Sequence, residues 1–138
     1  MPTKCLFIND YPLEINVLYG EKDYFYIDIY NKDASVRASI SLHNTDKYPN
    51  KYIANFDYIK NPNLSIIKTI DEVIQTIANM RNKSEILIPK FAESTSNVDK
   101  IFNDLGYDTK SKSFNIKNPK CFHYSNFFDI IPQDEYEM

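Results

Sequence analysis

A chain of 138 residues with net charge −3, 43% apolar and 25% charged residues has the length and balance of one globular domain that buries its own core. Its two glycines, Gly20 and Gly106, stand far apart, which excludes a P-loop, a dinucleotide fingerprint or any other glycine-clustered phosphate cradle. Two cysteines and two histidines would all have to converge to supply the about four ligands of one structural zinc site.

Met1–Pro2–Thr3–Lys4 leads straight into a short apolar run without a signal-peptide pattern, and no stretch nears the ~18 apolar residues of a membrane span. The expectation is a single domain over 1–138 in the cytoplasm, with Cys5 and Cys121 as free thiols and 132–138 as a flexible acidic tail.

In chain order, residues 4–8 and 13–19 are β-prone runs separated by Asn9–Asp10–Tyr11–Pro12, which is turn chemistry, so a hairpin is predicted. Residues 24–30 place Phe25, Ile27 and Ile29 on one face and Tyr24, Tyr26, Asp28 and Tyr30 on the other. Residues 35–42 alternate most regularly, with Val36, Ala38, Ile40 and Leu42 inward and Ser35, Arg37, Ser39 and Ser41 outward. A polar loop containing Pro49 is predicted over 43–51. Another strand over 52–59 then sets Ala54, Phe56 and Tyr58 opposite Ile53, Asn55 and Asp57. The first part of the chain therefore reads as an antiparallel meander.

Ile70, Val73, Ile74, Ile77 and Met80 recur at helical steps and predict a helix over 70–81, with Thr69 and Glu72 as a capping box. Residues 64–68 fit either its first turn or a short β run. Asn82–Lys83 ends the helix, and 85–89 form a compact strand closed by Pro89. Ser94, Thr95 and Ser96 offer caps for a second helix over 97–105, stopped by Gly106 in the left-handed conformation. Residues 111–116 form the last strand, and the apolar residues around Cys121–Tyr124 and Phe127–Ile131 are suited to dock on the body. The predicted class is α+β, a mostly antiparallel mixed sheet of about six to seven strands with two main helices.

This order of elements, together with Ile101–Phe102–Asn103–Asp104–Leu105–Gly106–Tyr107, resembles the GNAT family of N-acetyltransferases over about residues 23–118. The segment is similar to that family's Leu-Tyr-Glu-Lys-Leu-Gly-Phe. The resemblance implies a V-shaped opening between the strands at 52–59 and 85–89. It also implies acetyl-CoA as cofactor, bound at Asn61, Asn63, Ser65, Thr95 and Phe102. The sequence departs from the pattern at these same places. Residues 60–65 hold no glycine where the family binds pyrophosphate, and Pro62 removes a backbone donor. Phe102 stands where a tyrosine protonates the leaving thiolate, and Thr95 where the family has asparagine. The two helices that usually precede the second strand are missing from the pattern. The reading is of a member or mimic that has lost its cofactor site.

No catalytic or metal constellation emerges. Cys121-x-His123 lacks further ligands, and His43 near Ser41 and Asp46 lacks a nucleophile on a strained turn. Asp28 and Asp57, if on adjacent strands, are candidates for a convergent carboxylate pair, but they read as isolated acids on wet strand faces. Lys110, Lys112, Lys117 and Lys120, flanked by Asp104 and Asp108, read as a solvated strand face and not as a nucleic-acid groove. The feature that points to function is the tyrosine face, Tyr24, Tyr26, Tyr30 and Tyr58, because tyrosine brings large contact area with few rotatable bonds. The competing reading covers that face with the 70–81 helix or the 127–131 segment. The expectation is a non-catalytic protein-binding module without a cofactor, an inhibitor or antagonist of the immunity or virus/mobile-element type. In the virus-encoded case it would work in host cytoplasm. Its partner is another protein, with a second copy of the chain as a further option. The alternative is an atypical acyl-CoA-dependent N-acyltransferase of the GNAT family.

Overall fold

The structure is a computed structural model that describes residues 3–8, 11–20, 23–60, 64–89 and 96–119, the side chains of 3–12, 19–20 and 96–98 excepted. The elements are β1 (Thr3–Ile8), β2 (Tyr11–Gly20), β3 (Tyr24–Tyr30), β4 (Arg37–Thr45), β5 (Tyr48–Lys60), α1 (Leu64–Met80), β6 (Glu85–Pro89), α2 (Ser96–Asp104) and β7 (Phe114–Lys117). The strands lie side by side in chain order in one seven-stranded sheet. All neighbours are antiparallel except β5 and β6, which run parallel because α1 carries the chain back between them.

Alternation makes the sheet two-faced. Ile15 and Val17 of β2, Phe25 and Ile27 of β3, and Ile40 and Leu42 of β4 all point to the face that α1 covers, and all are buried. The helix meets them with Ile66, Ile70, Val73, Ile74 and Ile77, each with no exposed surface. Burying a side chain of this size stabilises by about 1.5–3 kcal/mol, so this seam holds the fold.

α1 starts at Leu64, which resolves residues 64–68 as helix. Thr69 is therefore interior and no capping box forms: its hydroxyl donates to the Ser65 carbonyl at 2.9 Å, one turn back. The helix stops as its sequence predicts. Asn82 takes the left-handed conformation (φ 58°), and the Lys83 N–H closes on the Ala78 carbonyl at 2.9 Å. Gly106 does the same work after α2, with φ 96°.

Strands β2, β4 and β7 begin at Tyr11, Arg37 and Phe114 and not at 13, 35 and 111, and two larger differences from the sequence reading concern β4 and β5. The polar loop at 43–51 is absent: β4 runs to Thr45 and β5 begins at Tyr48. Side chains bridge this irregular hairpin end, with Asn44 Nδ2 donating to the Pro49 carbonyl and the Tyr48 N–H to Thr45 Oγ1. Polar residues there serve pairing, so polarity alone misreads them as loop. The second difference lies in β5. Ile40 pairs with Phe56 but Ser39 pairs with Tyr58, so Asp57 is an extra residue, a β-bulge. Beyond it the faces exchange. Tyr58 turns away from Ala54 and Phe56 and is 48% exposed, while Ile59 packs on the core.

Lys117 is also corrected. It is not part of a solvated basic face but 6% exposed, paired at 3.0 Å with the equally buried Asp71 of α1. The segments around Cys121, His123 and 127–131, and the expected tail, lie outside the described residues. Among the described residues no helix is long and apolar enough to cross a membrane.

Candidate functional site

The face of the sheet turned away from α1 carries the sequence-predicted tyrosines. Strand register arranges its side chains in rows across the strands. Leu18, Tyr26, Ser41 and Asn55 form one row, and Asn16, Asp28, Ser39 and Tyr58 the next. The bulge drops Asp57 between them. Together Asn16, Leu18, Tyr26, Asp28, Ser39 and Asp57 line an open groove of about 420 Å³, with the backbone of Ile27 and Ile40 beneath.

Charge in the groove is unevenly compensated. Asp28 is held by Arg37, whose Nε and Nη2 donate at 3.1 and 2.8 Å, and by the Ser39 hydroxyl at 3.2 Å. Asp57 accepts a bond from the Ser41 hydroxyl, and no lysine or arginine among the described residues forms an ion pair with it. Asp28 and Asp57 thus do reach one groove, although β4 lies between their strands and its two serines separate them.

The rings are braced from behind. Tyr26 stacks on Tyr24 with centroids 4.7 Å apart, and Tyr24 stacks on His43 at 5.0 Å and 8°. Burial holds the His43 imidazole below its ordinary value, with the Asp57 carboxylate pulling the other way. His43, Ser41 and Asp46 form no triad, since Ser41 bonds Asp57 and Asp46 sits exposed in the turn. Tyr30 receives a bond from Asn16 Nδ2 at 3.3 Å and lies beneath the Arg37 guanidinium, 5.8 Å from it. Tyr26 remains 49% exposed and Leu18 45%. α1 covers the opposite face, so among the described elements no helix covers the tyrosines.

A second place matters for chemistry. The β5–β6 ladder holds for Lys51–Glu85, Tyr52–Ile86 and Ile53–Leu87 only, after which β5 runs on to Lys60 without β6 beside it. The pairing thus ends within the stretch where the family resemblance implies an opening. On the helix side of β5, Phe102 lies in the core with no exposed surface and meets Phe56 and Tyr107 edge to face at 5.5 and 5.2 Å. The Tyr107 hydroxyl is turned inward, donating to Asp71 Oδ1 at 2.7 Å. Burial and the neighbouring Asp71 push this phenol well above its ordinary value, so it keeps its proton. Asn61, Asn63 and Thr95 lie outside the described residues. Ser65 is in the first turn of α1, with its carbonyl engaged by Thr69. Of the residues that the resemblance implies for acyl-CoA, the described ones are thus a fully buried phenyl ring and a serine in the first turn of α1.

Asn16, Leu18 and Ser39 are groove residues that sequence reasoning misses. Only their register partners, Asp28 and Tyr26, mark them.

Sheet order, the parallel β5–β6 pair and its early parting define a distant acetyltransferase-like fold. The cAMP-binding acyltransferase from Mycobacterium smegmatis is similar in structure, with a TM-score of 0.66 and 7% identity over 97% of this chain and 51% of that one. A point mutant of the same acyltransferase matches at 0.66 and 8% identity, over 98% and 52%. The chain spans about half the length of these structures. No family model and no curated protein matches the sequence.

Proposed function

We propose that this chain uses an acetyltransferase-like fold as a binding module, docking another protein on the tyrosine face opposite α1 and transferring no acyl group. The observation that carries this reading is the grouping of half-exposed Tyr26 and Leu18 on one open groove, with half-exposed Tyr58 on the same face, paired with Ser39 of its lining. Aromatic rings braced by neighbours give contact area with little entropy left to lose. The buried Phe102 supports the same reading, because a ring without a hydroxyl cannot hand a proton to a leaving thiolate. An inhibitor or antagonist is the narrower form such a module would take.

Photocrosslinking tests the proposal. A photoreactive phenylalanine at Tyr26 or at Tyr58 should give one and the same protein adduct in native extract, and at Asn79 on the exposed side of α1 it should give none. Adducts absent from both sheet positions, or equal at Asn79, would overturn it. The second reading, an atypical acyl-CoA-dependent N-acyltransferase, draws on the likeness to an acyltransferase fold. It requires acetyl-CoA to raise the Tm, since a ligand at 100 times its Kd adds about 2.7 kcal/mol.

A further inference from the structure

The tyrosine face already contains one complete seat for a cation. Arg37 lies over the Tyr30 ring and pairs with the Asp28 carboxylate, its guanidinium held between ring and acid. One row away the same two components recur. Tyr26 and Asp57 line the groove together, and no cation of the described residues pairs with Asp57. The Tyr26 ring is half exposed and backed by Tyr24, so it is fixed before anything binds.

We propose that the groove is the seat of an arginine side chain projected by the partner protein, stacked on Tyr26 and bonded to Asp57. This rests on the docking reading above and names the chemistry of the partner. The three aliphatic carbons of the side chain lie against Leu18, and the planar guanidinium stacks on an aromatic face where an ammonium cannot. Asp57 Oδ2 is occupied by the Ser41 hydroxyl, which leaves Oδ1 to accept from the incoming N–H. The open groove, about 420 Å³, has room for a guanidinium and its aliphatic stem. A chain of net charge −3 also favours the approach of a basic surface.

The test is a backbone-amide NMR titration of the full chain with an acetylated Gly-Arg-Gly amide, read at Asn16, Tyr26, Ser39 and Asp57. Four ligands are compared: the arginine peptide, its citrulline isostere, its lysine counterpart and free methylguanidinium. Saturable shifts are expected at those amides with the arginine peptide, at least about fivefold weaker with citrulline or lysine, given the strength of charge-assisted and stacked contacts. Asp57→Asn should abolish them with its spectrum otherwise intact, Asp57→Glu should retain part, and Asn79→Ala on the exposed side of α1 should leave them unchanged. Equal binding of citrulline, tighter binding of lysine, or indifference to Asp57→Asn would overturn the proposal. So would methylguanidinium binding as tightly as the peptide, because that assigns the groove to a free small cation. Absence of any saturable shift overturns it too. The docking reading survives each of these results, since crosslinking at Tyr26 and Tyr58 uses no cationic probe.

Discussion

Removing Asp71 should unfasten the second half of the molecule. Its carboxylate receives the Tyr107 hydroxyl at 2.7 Å, the Gln75 amide at 2.7 Å and the Lys117 ammonium at 3.0 Å, so α1, β7 and the segment after α2 meet on one group. At 3.0 Å and an effective dielectric of 20 the ion pair alone amounts to about 5 kcal/mol of Coulomb attraction. Its desolvation cost has already been met by folding, so truncation exposes the full penalty of a buried ammonium without its counter-charge. Lys117 keeps its bond to the Leu105 carbonyl, which limits the damage. Asp71→Ala should therefore lower stability by about 3–5 kcal/mol, and Lys117→Met by a similar amount. Urea unfolding followed by far-UV circular dichroism measures both. The double variant Asp71→Ala/Lys117→Met removes both charges and should recover at least about 1 kcal/mol against the sum of the singles. A loss under about 1 kcal/mol for Asp71→Ala, or strict additivity, would refute the reasoning.

Gly106→Ala should lower the Tm by a few degrees, about 1 kcal/mol, because φ is 96° while the nearest atom to a new Cβ, Lys117 Cε, is 3.7 Å away; a strain-free substitution would leave the melt unchanged. Tyr58→Ser should change stability by less than about 0.5 kcal/mol, as its ring is half exposed, whereas Phe25→Ala should cost about 3–5 kcal/mol; denaturant midpoints separate the two. For His43, burial lowers the folded value below the unfolded one of about 6.5, so its contribution is present above pH ~6.5 and is lost as pH falls toward the folded value. His43→Gln should flatten that part of the stability profile, and an imidazole NMR titration should place the midpoint below about 6.5.

How legible this was from sequence depends on the kind of information each feature needs. The β3 alternation, the α1 stripe, the β6 strand and the Gly106 stop are local patterns, and each lies where its residues put it. The bulge at Asp57 leaves no such mark, since an extra residue is defined only against the partner strand. Alternation alone sets Tyr58 beside Ala54 and Phe56, and only the bulge gives it a place on the tyrosine face with which the sequence reading groups it. Lys117 looked like one more surface lysine because its partner, Asp71, is remote in sequence. Asp71 itself sits in a helix turn that reads as polar, and only the arrival of Tyr107 and Lys117 makes it a buried acceptor. The groove is a product of register across four strands, so its residues could be guessed singly but not as a set.

The most direct test of a docking role in place of acyl transfer is a backbone-amide NMR titration with acetyl-CoA at millimolar concentration. The account predicts no saturable shifts around Ile53, Ser65, Leu87 and Phe102, where β5 and β6 part. Saturable shifts clustered at those residues would contradict it.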